Sequence, residues 1–301
     1  MRGVVLVLAA LLIMCLAVLL VAGLPLSHLW LDAQWFGSVD QSQVFVLRLT
    51  TTLLFGLVAA LIAFGWIAAI WIIAFARVRL PGRQRSVNVV VALGALLIAV
   101  VFGLAASAMA PEYLTWSRQV PFQLADPVFG QDISFYVFTL PLLESAQGWV
   151  LWLLIVTLVG LVVPLGIAGQ WVDVSALQRQ LVPNELENLY TFPRKASILP
   201  RSPLVRLTCG VGALFMLVLA WGRWLDIWEL VYSNRGAVFG ASRTDLAAEL
   251  PVIDLLIGLA VAGCVALVAI AVVRPSPWPV LLVPGAYLAL SVALLGIWPA
   301  L

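Results

Sequence analysis

Apolar residues run in continuous blocks along this chain, and polar residues collect between the blocks rather than inside them. The blocks are Val4–Gly23, Thr51–Ala76, Asn88–Ala110, Val150–Ala168, Leu207–Leu225, Pro251–Val273 and Val280–Trp298. None alternates with period two, so helices are expected rather than strands. A helix needs about 20 apolar residues to cross a hydrocarbon core, and the blocks are of that order. The pattern predicts an all-α fold: a polytopic membrane helix bundle of about seven transmembrane helices forming one transmembrane domain over residues 1–301. The first block is read as an uncleaved anchor, because its apolar core is longer than the 7–15 residues usual in a signal peptide. The last is the weakest, because Pro284 and Gly285 interrupt it.

The connectors set the orientation. Arg77, Arg79, Arg83 and Arg85 surround a Pro81-Gly82 turn between the second and third blocks. Basic residues favour the cytoplasmic side. With the N-terminus inside, eleven of the sixteen Lys and Arg fall on inner segments and five on outer ones. The outer connectors are then 24–50, 111–149 and 226–250, and the C-terminus lies outside. Trp30 and Trp35 in the first of these are expected interfacial anchors. In the inner connector 170–206, Val174–Leu189 has a roughly helical spacing of leucines that suits the membrane surface.

Composition agrees. Hydrophobic residues make up 64% and charged residues 10%, against a usual charged share of about 25%. The bilayer is therefore the first partner. A net charge of +2, without a basic patch interleaved with aromatics, argues against nucleic acid. Cys15, Cys209 and Cys264 all fall in apolar blocks and read as small buried hydrophobes.

The most specific stretch is the outer connector from Pro111 to Trp149. Asp126-Pro127 and Gly130-Gln131-Asp132 bracket a turn, with Gly130 free to adopt a left-handed backbone. Asp132 is placed to cap a helix through Ile133-Ser134-Phe135. Phe135, Tyr136 and Phe138 would lie at the interface, and Pro141 would bend the entry into the next span. The alternative is that Asp126 and Asp132 hold a cation or polar ligand, although calcium usually takes six to eight oxygens. In the third outer connector, Ser242-x-x-Asp245 resembles a capping box. Arg235 and Arg243 face the acids Asp226, Glu229, Asp245 and Glu249, either as ion pairs between outer loops or as the mouth of a ligand pocket. The candidate docking or ligand residues are thus Asp126, Gly130, Asp132, Tyr136, Arg235, Arg243 and Asp245.

No zinc-protease, nucleophile-elbow or phosphate-loop signature is present, and the only histidine is His28. No catalytic residue, metal or cofactor is assigned. Small residues recur four apart at Gly56 and Ala60, Gly103 and Ser107, and Gly258 and Ala262, a spacing that permits close helix packing.

The runs Asp126–Pro141 (DPVFGQDISFYVFTLP) and Arg235–Asp245 (RGAVFGASRTD), with Trp35-Phe36, resemble the bacterial uncharacterised protein family 182, a UPF-type family of multi-pass membrane proteins. Arg243 departs from the tyrosine expected at that place. The resemblance covers the membrane portion only. It implies seven membrane helices followed by a large extracytoplasmic domain, and it implies no activity. Three functional readings follow. The helices anchor or dock an extracytoplasmic domain or partner through the outer loops; or they pass a neutral or lipid-like solute; or, third, the outer carboxylates serve a membrane enzyme.

Overall fold

The computed structural model describes residues 27–78, 83–168, 202–232, 240–241, 245–273 and 275–297. The expected first span, the leucine-spaced segment 174–189, Arg235 and Arg243 lie outside the described residues. Among those described the protein is all-α, with no strand beyond one isolated bridge between Ala125 and Asp132. Five helices are long and apolar enough to cross a membrane: Ser42–Ala76, Gln84–Ser107, Phe135–Ile167, Pro203–Tyr232 and Leu246–Val273. A shorter apolar helix covers Pro279–Leu295.

The chain divides into two compact units, Met1–Leu54 and Phe55–Leu301. In the first, a helix over 27–38 (α1) ends in a turn at Gly37–Asp40. Asp40 takes a left-handed backbone there, with φ 56°, which Asp tolerates better than most residues. Phe36 stacks on Trp35 and Phe45, with ring centroids 4.9 and 5.9 Å apart. Helix α2, Ser42–Ala76, begins in this unit and continues into the second. Most of the expected connector 24–50 is therefore helical. Hydropathy marks where a membrane begins, not where a helix does. Thr50 and Thr52 turn their hydroxyls onto the carbonyls of Val46 and Arg48, so their polar groups are satisfied within the helix.

The second unit contains α3 (Gln84–Ser107), α4 (Ala110–Ser117), α5 (Leu140–Ile167), α6 (Ser202–Glu229), α7 (Leu250–Val273) and α8 (Pro279–Val292). Helix α6 is its centre and packs on α5, α7 and α8. Its most apolar stretch is 67% buried, against 17% to 33% for the other four long helices. Met216, Val205 and Cys209 on α6 meet Leu154 and Leu161 of α5 and Leu256 and Leu267 of α7 in one core. A second cluster joins Ala63 and Ile67 of α2, Ala95, Ala99 and Phe102 of α3, and Leu153 of α5.

The small residues of α2 and α3 face one another. A Cβ on Gly103 would stand 2.7 Å from the Gly56 carbonyl and 2.8 Å from the Ala60 Cβ. One on Gly56 would stand 3.0 Å from the Gly103 carbonyl. The two backbones therefore touch, as the spacing Gly56/Ala60 and Gly103/Ser107 permits. Gly258 and Ala262 instead lie on an exposed face of α7.

Polar side chains pin α5 to its neighbours. The buried Thr157 hydroxyl accepts from Trp66 Nε1 at 3.1 Å, and the Thr157 carbonyl accepts from Trp71 Nε1 at 3.2 Å. Trp149 Nε1 donates to the Phe102 carbonyl at 3.0 Å, and Gln147 Nε2 to the Val218 carbonyl at 3.2 Å. In an apolar solvent such interhelical bonds contribute about 0.6–2 kcal/mol each.

Two further expectations are corrected. The connector 111–149 is largely helical: α4 opens with Pro111 in its first turn, and the chain is helical again from residue 133. Pro141 sits in the first turn of α5, but the helical run through it is continuous from residue 133, so its missing N–H leaves a gap in the bonding there. It is preceded by a π-helical turn, Phe135–Thr139. Pro284 and Gly285 do not interrupt the last apolar block, because α8 runs through both. Helices packed against a proline in a bundle can absorb the freed backbone group, and Pro284 is buried.

Candidate functional site

The polar segment between α4 and α5 folds as a closed loop. Asp126 is 6% exposed. Its Oδ2 accepts from the Phe129 N–H at 2.6 Å and the Val128 N–H at 3.2 Å. The Tyr136 hydroxyl donates to the same oxygen at 3.3 Å. Backbone bonds close the turn: Gly130 N–H to the Asp126 carbonyl at 2.9 Å, Asp126 N–H to the Gln131 carbonyl at 2.7 Å, and Ile133 N–H to the Leu124 carbonyl at 3.0 Å. Gly130 makes the turn possible with φ +69°.

Asp132 does the work expected of a cap. Its Oδ1 accepts the Ser134 N–H at 2.8 Å, two residues into the helical run, and also the Phe122 N–H at 3.1 Å. The Ser134 hydroxyl and backbone N–H, with the N–H groups of Phe122 and Gln123, hold its carboxyl well below the usual range, at about 2. Both carboxylates of the loop are thus engaged by the loop's own N–H groups.

An aromatic seam joins this loop to the end of α6. Trp228 meets Phe129, Phe135 and Trp224 with ring centroids 5.4, 5.3 and 5.8 Å away. Tyr136 meets Tyr232 at 5.9 Å. The other side of the loop is different: Val120, Phe122 and Leu124 are 69%, 50% and 61% exposed, in a stretch that Gln123 bends with a left-handed φ of 57°, and the Phe122 ring meets Phe138 at 5.8 Å.

Behind Tyr136 lies a cavity of about 800 Å³. Its polar wall carries Glu144 of α5, Arg223, Asp226 and Glu229 of α6, Tyr232, and Glu249. The apolar wall includes Leu140, Leu230, Ile253 and Leu295. Arg223 is already paired with Asp226 at 2.7 Å. Glu144 is in hydrogen-bonding contact with Glu229, and Asp226 and Glu112 are near enough to act on its charge. Three π-helical turns meet here: Phe135–Thr139 supplies Tyr136, Asp245–Glu249 supplies Glu249, and Ala293–Ile297 supplies Leu295. Such turns are rare and favour functional sites.

Of the residues singled out from sequence, Asp126, Gly130, Asp132 and Tyr136 are assembled in the loop. Asp245 opens the second π turn. Asp226, Glu229 and Glu249 line the cavity, while the arginines expected to face them, Arg235 and Arg243, lie outside the described residues. Glu144 and Arg223 were missed. Glu144 reads as a helix residue near an interface, and only its place opposite Glu229 singles it out. Among the described residues no group of three or more His, Cys, Asp or Glu is arranged to hold a metal.

No solved structure matches this chain. A UPF0182 protein of Cupriavidus necator is 33% identical over 96% of this chain and 31% of its own length. One of Moorella thermoacetica is 34% identical over 81% of this chain and 26% of its own length. A third, of Saccharopolyspora erythraea, is 29% identical over 94% of this chain and 29% of its own length. The chain thus spans about a third or less of the curated relatives it matches. The model of the uncharacterised protein family UPF0182 matches residues 9–301. The chain, an all-α protein with helices fit to cross a membrane, belongs to that family.

Proposed function

We propose that this chain is the membrane-embedded seat for the rest of the family's polypeptide, in the bacterial plasma membrane, with the loop 118–134 as the docking surface. The observation that carries this is a loop locked by its own hydrogen bonds that nevertheless leaves Val120, Phe122 and Leu124 half or more exposed. An ordered surface with large exposed apolar side chains is a recurrent mark of an interface. The occupant is argued from length: relatives that match nearly all of this chain are roughly three times as long. The loop carboxylates weigh against the enzyme reading, since Asp126 and Asp132 are occupied by backbone N–H groups. The cavity favours a second reading, solute handling, but its charged wall does not suit a neutral or lipid-like solute.

The test uses the full-length Cupriavidus necator relative, with a photo-reactive residue at the position matching Gln131, which is exposed here. Crosslinks mapped by mass spectrometry to the region beyond the matched segment are expected. They should be lost when the residues matching Phe122 and Leu124 are replaced by Asp. Adducts confined to lipid would overturn the docking reading. Orientation has its own check. A cysteine at Gln131 should react with an impermeant thiol reagent on intact cells, and one at Gln84 should not. The reverse pattern would invert the topology.

A further inference from the structure

The turn at Gly37–Asp40 joins α1 to the start of α2 as a helical hairpin, and its surface fits neither water nor lipid. One apolar contact is internal: Phe36 stacks on Phe45 across the turn. Other large apolar side chains are left open. Trp30 and Trp35 are 64% and 60% exposed, and Leu29, Leu31, Val46 and Leu47 are exposed as well. They are not gathered on one side. Successive helix residues point about 100° apart, so Leu29, Trp30 and Leu31 face three directions around α1. A helix that lies on a bilayer shows one apolar face and one polar face, and α1 lacks that division. The hydrocarbon suits the hairpin no better. Asp32, Asp40 and Arg48 stand exposed among its apolar residues, and a charge is costly in lipid.

The length of α2 agrees. It has 35 residues, about 52 Å at 1.5 Å per residue, against a hydrocarbon core of about 30 Å. Phe55 lies against Tyr113, with ring centroids 5.4 Å apart, and Gly56 meets Gly103. From there to Ala76 the helix runs about 33 Å, long enough to cross by itself. The first turns of α2 are therefore surplus to the span. Apolar side chains on several sides, with charges between them and tryptophans prominent, have the make-up of a surface that another polypeptide covers. Relatives that match nearly all of this chain are roughly three times as long, so each carries such a polypeptide.

We propose that the α1–α2 hairpin is a second docking element, enclosed on more than one side by the polypeptide that the relatives carry beyond the matched segment. The inference rests on the docking reading above and adds to it a surface distant in sequence from the loop 118–134. The test uses the full-length Cupriavidus necator relative with a photo-reactive residue at the position matching Gln34, which is exposed on α1. Crosslinks to the region beyond the matched segment are expected. They should be lost when the residues matching Trp30 and Leu31 are replaced by Gln, a change that leaves the Phe36–Phe45 stack in place. Crosslinks from the position matching Gln131 should persist in that variant and show that it is folded. Adducts at the Gln34 position confined to lipid or to a second copy, or protein adducts unchanged by the substitutions, would overturn the hairpin proposal. With Gln131 still crosslinking, the loop reading would stand without it. No protein adduct from either position would overturn both.

Discussion

Two polar regions share one end of the bundle, and they are built on opposite terms. In the loop 118–134, each carboxylate is met by backbone N–H groups, two for Asp126 and two for Asp132, and Tyr136 adds a donor to Asp126. In the cavity, the Glu144 carboxyl instead meets another carboxyl, Glu229, with Asp226 and Glu112 near enough to act on its charge. Acidic residues that are satisfied locally hold a shape. Acidic residues crowded against one another repel, and cost stability unless one of them holds a proton. Tyr136 belongs to both regions, bonded to Asp126 and lining the cavity.

The largest effect that would sharpen this contrast is Asp126→Ala. It strands the Val128 and Phe129 N–H groups and the Tyr136 hydroxyl, and should cost about 3 kcal/mol in denaturation of the detergent-solubilised protein. A loss below about 1 kcal/mol would mean the loop is not held as described. Tyr136→Phe removes a single bond to the same oxygen and should cost about 1 kcal/mol. Glu144→Gln should act in the other direction. It keeps a donor for Glu229 while removing a charge repelled by Glu229, Asp226 and Glu112, and should leave stability unchanged or raise it by about 0.5 kcal/mol. A loss as large as that of Asp126→Ala would erase the distinction between the two regions.

The smallest effect is on pH. The Asp132 carboxyl sits near 2 when folded and near the ordinary aspartate value when not. Its contribution is therefore complete above about pH 4 and is lost as the pH falls through about 2. Hydrogen exchange at the Ser134 amide should quicken across that window relative to amides of α6. In Asp132→Asn the difference should flatten.

The loop was legible in sequence because its chemistry is local. Asp-Pro, a glycine before the cap and Asp-x-Ser specify their bonds over a few residues, and each stands as expected. The spans were legible through apolar blocks, though their ends were not, because a helix runs on past its apolar stretch, as α2 does from Ser42. The pairing of Gly56 with Gly103 was available as spacing alone, and Gly258 shows that spacing does not choose which pairs meet. The cavity was only half visible. Asp226, Glu229 and Glu249 stand in the third outer connector, but Glu144 joins them from another helix. Trp66, Trp71 and Trp149 illustrate the same gap. Tryptophan in an apolar block signals a membrane boundary in sequence, whereas here all three act as donors between helices.

The π turn at Phe135–Thr139 carries a consequence for how this region tolerates insertion and deletion. A π turn holds one residue more than the α turn it replaces, and each residue of an α-helix turns the chain by about 100°. Deleting Val137 or Phe138 would therefore let the segment close as an ordinary α turn and leave the residues on either side nearly in place. The same deletion further along α5, where the helix is regular, would instead turn everything before it by that angle, carrying Tyr136 out of the cavity and Asp126 away from α6. The π turn is thus a point of slack where this helix can lose a residue and keep its register.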